Sequence, residues 1–220
     1  SRGMQAALIL AAVTLSTAWL TFRTPAWYAP PRVDAGEHQR LRDGLQTTAD
    51  EFTQLLLGRE PFRLEFAQTT LNEWLAAREH IWPAARRLLP PDWHDPFVRF
   101  VPGHIEIAAR FVGAPGEPIV SMSLAVSVEG DDVVLRATGC RVGSVPAPLC
   151  LVSPWLRRLS PPESEGESRV LRGNVVDGLH IPRRQVWWNG ERLFQTRDVR
   201  TAAGVIALDI EPLGPKHQRR

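Results

Sequence analysis

The chain has 220 residues, of which 44% are apolar, and its 26 basic and 24 acidic side chains give a net charge of +2. This even balance excludes the strongly basic surface of a nucleic-acid binder, and two cysteines are too few for a disulfide framework or a zinc-ligand set. The length suits one domain with an anchor.

The N-terminal segment carries the clearest signal in the sequence. Residues 4–22 read MQAALILAAVTLSTAWLTF and contain no charge. A helix rising about 1.5 Å per residue needs roughly 20 residues to cross a bilayer, so residues 1–23 are predicted to be a transmembrane anchor. Its membrane-facing side chains would be Leu8, Ile9, Leu10, Val13, Leu15, Trp19, Leu20 and Phe22. A cleaved signal peptide, with Ser16 and Ala18 at the cleavage site, is the alternative.

Residues 24–36 are rich in proline and read as a juxtamembrane linker, with Trp27 and Tyr28 at the membrane interface. Arginines follow the apolar segment at positions 23, 32, 40 and 42, so the positive-inside rule does not favour export of the remainder. A short N-terminal apolar segment before a folded domain nevertheless favours export. We therefore expect a cell-membrane protein whose main domain is extracytoplasmic, on the periplasmic side.

A helix and a strand–helix junction open the main domain. Apolar residues recur at spacings of three and four from Leu41 to Leu56, and Gly58 follows as a stop signal. Residues 62–66 alternate like a half-buried strand. Thr70 and Glu73 then have the spacing of a helix-capping box. Asn72 and Glu73, the polar residues of this junction, are interpreted as structural rather than catalytic.

The remainder is predicted to be mostly strands. Residues 97–101 and 104–112 form a hairpin, and residues 119–128 present one apolar face before a meander. A short amphipathic helix is expected between Leu149 and Leu159, and Asn189 with Gly190 marks a two-residue turn. The prediction is an α+β domain over residues 37–214, with helices on one face of a curved, mainly antiparallel sheet and a basic tail at 215–220.

The order of FRLEFAQTTLNEWLA, VRFVPGHIEIAARF, GSVPAPLCLV and VRTAAGVIALDIEPL resembles the YpmS-like family of bacterial membrane-anchored proteins. Gly143, Pro146 and Pro148 match the G-x-x-P-x-P segment of that family. The resemblance implies an extracytoplasmic module related to lipid-binding folds, and it carries no catalytic signature. Fold analogy alone does not determine function.

The sequence contains none of the common catalytic or cofactor motifs, so an enzyme, a cofactor and a metal site are not expected. His94 beside Asp95 is the best acid–base pair, but adjacent side chains rarely face each other. Glu163, Glu165 and Glu167 lack the spacing of a calcium loop. Cys140 and Cys150 could pair in an oxidising compartment.

Three tryptophans are candidate partner contacts. Trp187 and Trp188 are neighbours in a predicted strand, where successive side chains point to opposite faces, so something must cover both faces. Trp93 lies in the predicted loop PPDWHDP, where a large aromatic ring often anchors another surface. Packing within the domain is the alternative for each.

Two non-catalytic functions fit these observations. One is an accessory or scaffold subunit that contacts other membrane proteins through its outer domain. The other is a lipid-binding module in which Trp74, Met122, Leu124 and Val126 line an apolar groove, although the same residues would serve as an ordinary core. Neither function involves nucleic acid.

Overall fold

The computed structural model describes residues 19–82, 89–149, 172–187 and 192–215. The predicted anchor residues from Leu8 to Leu15, the predicted helix after Leu149, the Asn189–Gly190 turn and residues 216–220 lie outside these ranges. Every pairing between the described strands is antiparallel, which confirms the mainly antiparallel α+β class.

The described elements have the following order along the chain. They are α1 (His38–Leu57), β1 (Phe62–Ala67), α2 (Gln68–Ile81), β2 (Trp93–Val101), β3 (His104–Phe111), β4 (Ile119–Glu129), β5 (Asp132–Val142), β6 (Val145–Ala147), β7 (Arg172–Asn174), β8 (Gly178–Pro182), β9 (Arg184–Val186), β10 (Arg192–Ala202) and β11 (Val205–Pro215). A 3-10 turn, Ala35–Glu37, precedes α1.

The first helix forms where the apolar spacing predicts it. Leu41, Phe52 and Leu56 are buried on one side of α1, and Gly58 follows its last residue. Leu55, which also belongs to the predicted apolar stripe, is 42% exposed. The helix therefore buries a narrower stripe than its sequence indicates.

The strands form two sheets rather than the single curved sheet that the sequence predicts. One has four strands in the order β1-β11-β10-β9, and the other has the order β2-β3-β4-β5-β8-β7, with β6 paired to β5. The four-stranded sheet packs its apolar face on α1, where Phe52 and Leu56 meet Phe194 and Ile210. Since burial of one face of each element needs a partner layer, α1 completes this half of the core.

The segment PPDWHDP is not a loop, because β2 begins at Trp93. Trp93 pairs with Phe111 on β3, and an irregularity between His94 and Phe97 lets the strand continue through Pro96. The proline and the aspartates favoured a loop in the sequence, but a bulge accommodates them within the strand.

The predicted capping box at Thr70 and Glu73 is also wrong, because α2 begins two residues earlier, at Gln68. The amide of Gln68 donates to the carbonyl of Gly204, in the turn between β10 and β11, at 2.8 Å. A distant carbonyl therefore satisfies the first helical amide, and the local side-chain cap is not needed.

Side chains of α2 form hydrogen bonds with backbone groups on the outer edge of β2, the edge that faces away from β3. The Asn72 side chain accepts from the Val98 amide and donates to the Val98 carbonyl, both at 2.7 Å. Gln68 Oε1 accepts from the Phe100 amide at 2.9 Å, and the Phe100 carbonyl accepts from the Gly204 amide at 3.2 Å. These bonds join the two sheets and cover an edge that would otherwise be open to another strand.

The N-terminal segment packs on the seven-stranded sheet. Tyr28 is only 6% exposed and forms a cluster with Phe97, Ala108 and Ile119, with Trp27 against it. The predicted linker is therefore part of the folded domain at this point. Tyr28 packs in the core of the domain, against three residues of the sheet.

Replacing Asn72 by alanine is expected to lower the free energy of unfolding by about 2–4 kcal/mol, because two buried backbone groups of Val98 lose their partners. Gln46→Ala is the matched control, since the Gln46 amide bonds Asp50 on the exposed face of α1. The control should change stability by less than about 0.5 kcal/mol. Chemical denaturation measures both, and equal losses in the two variants would contradict this account of the β2 edge.

Candidate functional site

An open groove of about 910 Å³ lies on one face of the seven-stranded sheet. Its floor is built from the small residues Ser121, Ser123 and Ala125 of β4 and Gly139 of β5. Ser121, Ser123 and Ala125 share a face because alternate residues of a strand point the same way. Their small side chains leave room above the sheet that larger residues would fill.

Aromatic and proline residues form the walls of this groove. Trp27 stands on one side. The centroid of its ring is 6.2 Å from the Phe97 ring centroid and 5.6 Å from the Arg99 guanidinium. On the other side, Pro146 and Pro148 follow the turn from β5 into β6. The walls are therefore flat and apolar, whereas the floor is polar.

Ionisable side chains line the groove at His104, Glu106 and Arg141. Glu106 Oε2 is buried, and Arg99 Nη1 lies 3.4 Å from it without hydrogen-bond geometry. A buried carboxylate oxygen in an ion pair of this kind can still accept a hydrogen bond from a ligand. The groove thus offers an acceptor beside apolar walls.

Cys140 borders the groove through its place in β5, and its pairing with Met122 puts its side chain on the face opposite the serines. It is free and buried, and desolvation by this burial raises its pKa. A raised pKa keeps the thiol protonated and poorly nucleophilic. Cys150 lies outside the described residues, so pairing between the two cysteines stays a prediction.

A smaller pocket of about 390 Å³ lies beside the end of the N-terminal helix, between Phe22, Tyr28, Arg110 and Glu117. Arg110 stands between two carboxylates. Its Nε is 3.1 Å from Asp95 Oδ2, and its Nη1 is 3.7 Å from Glu117 Oε2. We call this the arginine pocket.

Both carboxylates that contact Arg110 come from strained backbone positions, although only Glu117 lines the pocket. Asp95 has a φ of 50° and Glu117 a φ of 44°, in the left-handed region that residues other than glycine rarely adopt. The Tyr28 hydroxyl donates to the Asp95 carbonyl at 2.7 Å. Burial, and then the Asp95 charge, raise the pKa of Tyr28 to about 12, so the hydroxyl remains a donor.

The apolar segment ends in a helical turn that is docked on the domain. Residues 19–22 are helical, and the Leu20 carbonyl accepts from the Ser144 amide at 2.9 Å. Gly143, with a φ of 59°, permits this approach, because a Cβ at this position would meet Thr21 O and lie 2.6 Å from Leu20 O. Gly116 likewise makes room for the Phe22 ring.

The predicted membrane residues divide between surface and core. Trp19 is 63% exposed and Phe22 is 52% exposed, Leu20 and Trp27 are half-buried, and Tyr28 is buried. Among the described residues, no helix is both long enough and apolar enough to cross a bilayer. Most of the predicted anchor lies outside those residues.

The two described tryptophans that were expected to contact a partner pack inside the domain. Trp93 is 9% exposed and lies against Phe111, with ring centroids 5.2 Å apart. Trp187 packs on Phe52 at 4.5 Å and donates its indole N–H to Thr53 Oγ1 at 2.9 Å. The layer that covers the Trp187 side chain is therefore α1. Trp188 lies outside the described residues.

The predicted apolar lining residues do not come together in the groove. Met122 borders the groove through its place in β4, but its side chain is on the opposite face of the sheet, while Leu124 is buried in the core and Val126 is half-buried. Trp74 packs against Phe66 between α2 and β1, with ring centroids 6.3 Å apart. The groove is instead lined by serines and glycines, which the alternation of β4 already places on the face opposite Met122.

A histidine–aspartate pair, which sequence spacing does not indicate, lies at the far end of β5. His180 Nδ1 is 3.1 Å from Asp132 Oδ2, and Arg172 holds the same carboxylate at 2.7 Å. His94, the sequence candidate, is exposed. Within the described ranges, no group of three or more metal-binding side chains comes together.

A comparison of the chain with protein-family models, with curated proteins and with solved structures gave no match. The likeness to YpmS-like proteins therefore stays a prediction.

Replacing Gly143 by alanine should release the helix end, because the new methyl group would meet the Thr21 carbonyl. The measurement is amide hydrogen exchange at Ser144, which we expect to become at least about tenfold faster. Gly130→Ala is the control, since Gly130 has a φ of 58° but open space around its Cα. If both variants change the exchange of Ser144 equally, backbone strain alone explains the effect.

Tyr28 is the sole tyrosine of the chain, so tyrosinate absorbance reports this residue alone. We expect a midpoint of about 12 in the folded protein and about 10 in guanidinium chloride. Because the folded pKa lies above the unfolded one, this group stabilises the fold below about pH 10, and the contribution is lost as pH rises towards about 12.

The variant Asp95→Asn should lower this folded midpoint, since the carboxylate charge contributes to the shift. Asp50→Asn on the exposed side of α1 should leave it unchanged. A folded midpoint near about 10 in the native protein would show that Tyr28 is open to solvent.

Proposed function

We propose that the chain is a non-catalytic, single-pass membrane protein that acts as an accessory or scaffold subunit. Its extracytoplasmic domain holds an extended polypeptide segment of a neighbouring membrane protein in the groove above β4. Residues 4–22 anchor the chain in the bilayer.

The short distance between the groove and the end of the anchor carries this proposal. Trp27, a wall of the groove, follows Phe22 by five positions. At no more than about 3.5 Å per residue, the wall is within about 17 Å of the helix end. The hydrogen bond from Ser144 to Leu20 holds the domain at that distance. A groove so close to the bilayer suits a segment that leaves the membrane beside the anchor.

The chemistry of the groove favours a polypeptide over an acyl chain. Serine hydroxyls on the floor and the buried Glu106 Oε2 can bond backbone amides of a ligand. Trp27 and the two prolines offer flat apolar contacts to its side chains. An acyl chain would leave the polar floor without partners, which is costly for buried polar groups.

A lipid-binding function is the second candidate, and the opposite face of the same sheet favours it. Ile107, Met122, Val126 and Leu135 come from three neighbouring strands, share that face by register, and are half-buried. An apolar face that remains partly open can accept an acyl chain. This candidate uses Met122 and Val126 of the lining that the sequence predicts.

Photo-crosslinking in native membranes tests the proposal. A benzophenone amino acid at Ala125, in the groove, should give an adduct of discrete polypeptide mass, and one at Gln46 on the exposed face of α1 should not. Adding Ser123→Trp, which fills the groove beside Ala125, should remove the adduct, whereas Gln46→Trp should leave it.

A probe at Val126, on the opposite face, separates the two candidates. Phospholipid adducts at Val126 without polypeptide adducts at Ala125 would favour the lipid module and reject the scaffold. A polypeptide adduct at Ala125 that survives Ser123→Trp would also reject the groove as the binding site.

A further inference from the structure

We infer that the arginine pocket binds the ethanolamine phosphate headgroup of a phospholipid from the membrane in which the chain is anchored. The inference rests on the proposed membrane anchor but not on the polypeptide groove, which lies elsewhere on the domain. The pocket and the groove have no lining residue in common.

The charges of the arginine pocket match a zwitterion with a primary ammonium. Of the residues that line the pocket, Glu117 supplies one negative charge and Arg110 one positive charge, and Asp95 contacts Arg110 without being part of the lining. The guanidinium has five N–H groups, which can serve a phosphate as well as the two carboxylates. A ligand ammonium can donate to Glu117, which is 53% exposed, while its phosphate contacts Arg110.

The backbone of the pocket holds these charges in place before a ligand arrives. Asp95 and Glu117 both have left-handed φ angles, and both direct a carboxylate at the same guanidinium. Non-glycine residues in this conformation are strained, and such residues cluster at ligand sites. Two of them on either side of one arginine indicate a pre-organised site.

The pocket lies where a headgroup would be. Phe22 forms one side of it and is the last helical residue of the apolar segment. Trp19 is exposed on the same helix end, with the Arg23 guanidinium 5.2 Å above its ring. Aromatic and arginine side chains at the end of an apolar helix are typical of the headgroup layer.

Other headgroups fit less well. A choline headgroup has no N–H to donate to Glu117, and a glycerol headgroup has no cation to pair with this carboxylate. The volume of about 390 Å³ suits a headgroup, so the acyl chains would remain in the bilayer.

Isothermal titration of the full chain in nonionic detergent micelles tests the inference. The probes are dihexanoyl phosphatidylethanolamine, phosphatidylcholine and phosphatidylglycerol. We expect the ethanolamine lipid to bind at least about tenfold more tightly than the other two. Glu117→Gln should remove this preference, and Glu60→Gln, an exposed carboxylate outside the pocket lining, should retain it. The heat released when the lipids partition into micelles is the same for every variant, so differences between variants report binding to the protein.

Absence of binding, equal binding of the three lipids, or an unchanged preference in Glu117→Gln would overturn the inference. A crosslinking probe at Ala125 in the Glu117→Gln variant distinguishes the headgroup site from the polypeptide groove. The polypeptide adduct should persist in this variant, because Glu117 does not line the groove. Extraction of the full chain from membranes by alkaline carbonate would instead reject the anchor on which the headgroup site depends.

Discussion

The fold depends on how the outer edge of β2 is closed. Four backbone groups of Val98 and Phe100 face away from β3, and Asn72, Gln68 and Gly204 supply a partner for each. Two side-chain amides and one turn thus supply the hydrogen bonds that a neighbouring strand would otherwise form. Because Gln68 and Gly204 belong to the four-stranded half of the molecule, the same bonds fix the relative position of the two sheets. The packing of the other elements depends on this relative position of the two sheets.

With the sheets so joined, the two faces of the larger sheet have different environments. The face that carries Phe97 and Ile119 receives the N-terminal segment through Tyr28, and beyond Trp27 it opens into the groove. The groove exists because β4 alternates small polar residues with large apolar ones, so that serines lie under Trp27. The arginine pocket follows from the same docking, since Tyr28 and Phe22 bring the helix end beside Arg110.

Local patterns in the sequence predicted local elements well. The spacing from Leu41 to Leu56, the alternation from Phe62 to Phe66 and the turn at Gly103 correspond to α1, β1 and the β2–β3 hairpin. The start of α2 and the start of β2 were missed, because a carbonyl at Gly204 and a strand partner at Phe111 determine them, both distant in sequence. The candidate sites were largely missed for the same reason. Asp95, Arg110 and Glu117 do not follow a sequence pattern that would place them together. Trp93 is covered by Phe111 of β3 and Trp187 by Phe52 of α1, and both partners are distant in sequence.

The docking of the helix end on Gly143 and Ser144 has a mechanical consequence. Gly143 also donates to the Ile119 carbonyl at 2.7 Å, and Ser144 leads directly into β6. The wall at β6 is therefore attached to residues 19–22 by the hydrogen bond from Ser144 to Leu20, and the wall at Trp27 is attached to them by the chain. A displacement of residues 19–22 would therefore move both walls and change the width of the groove.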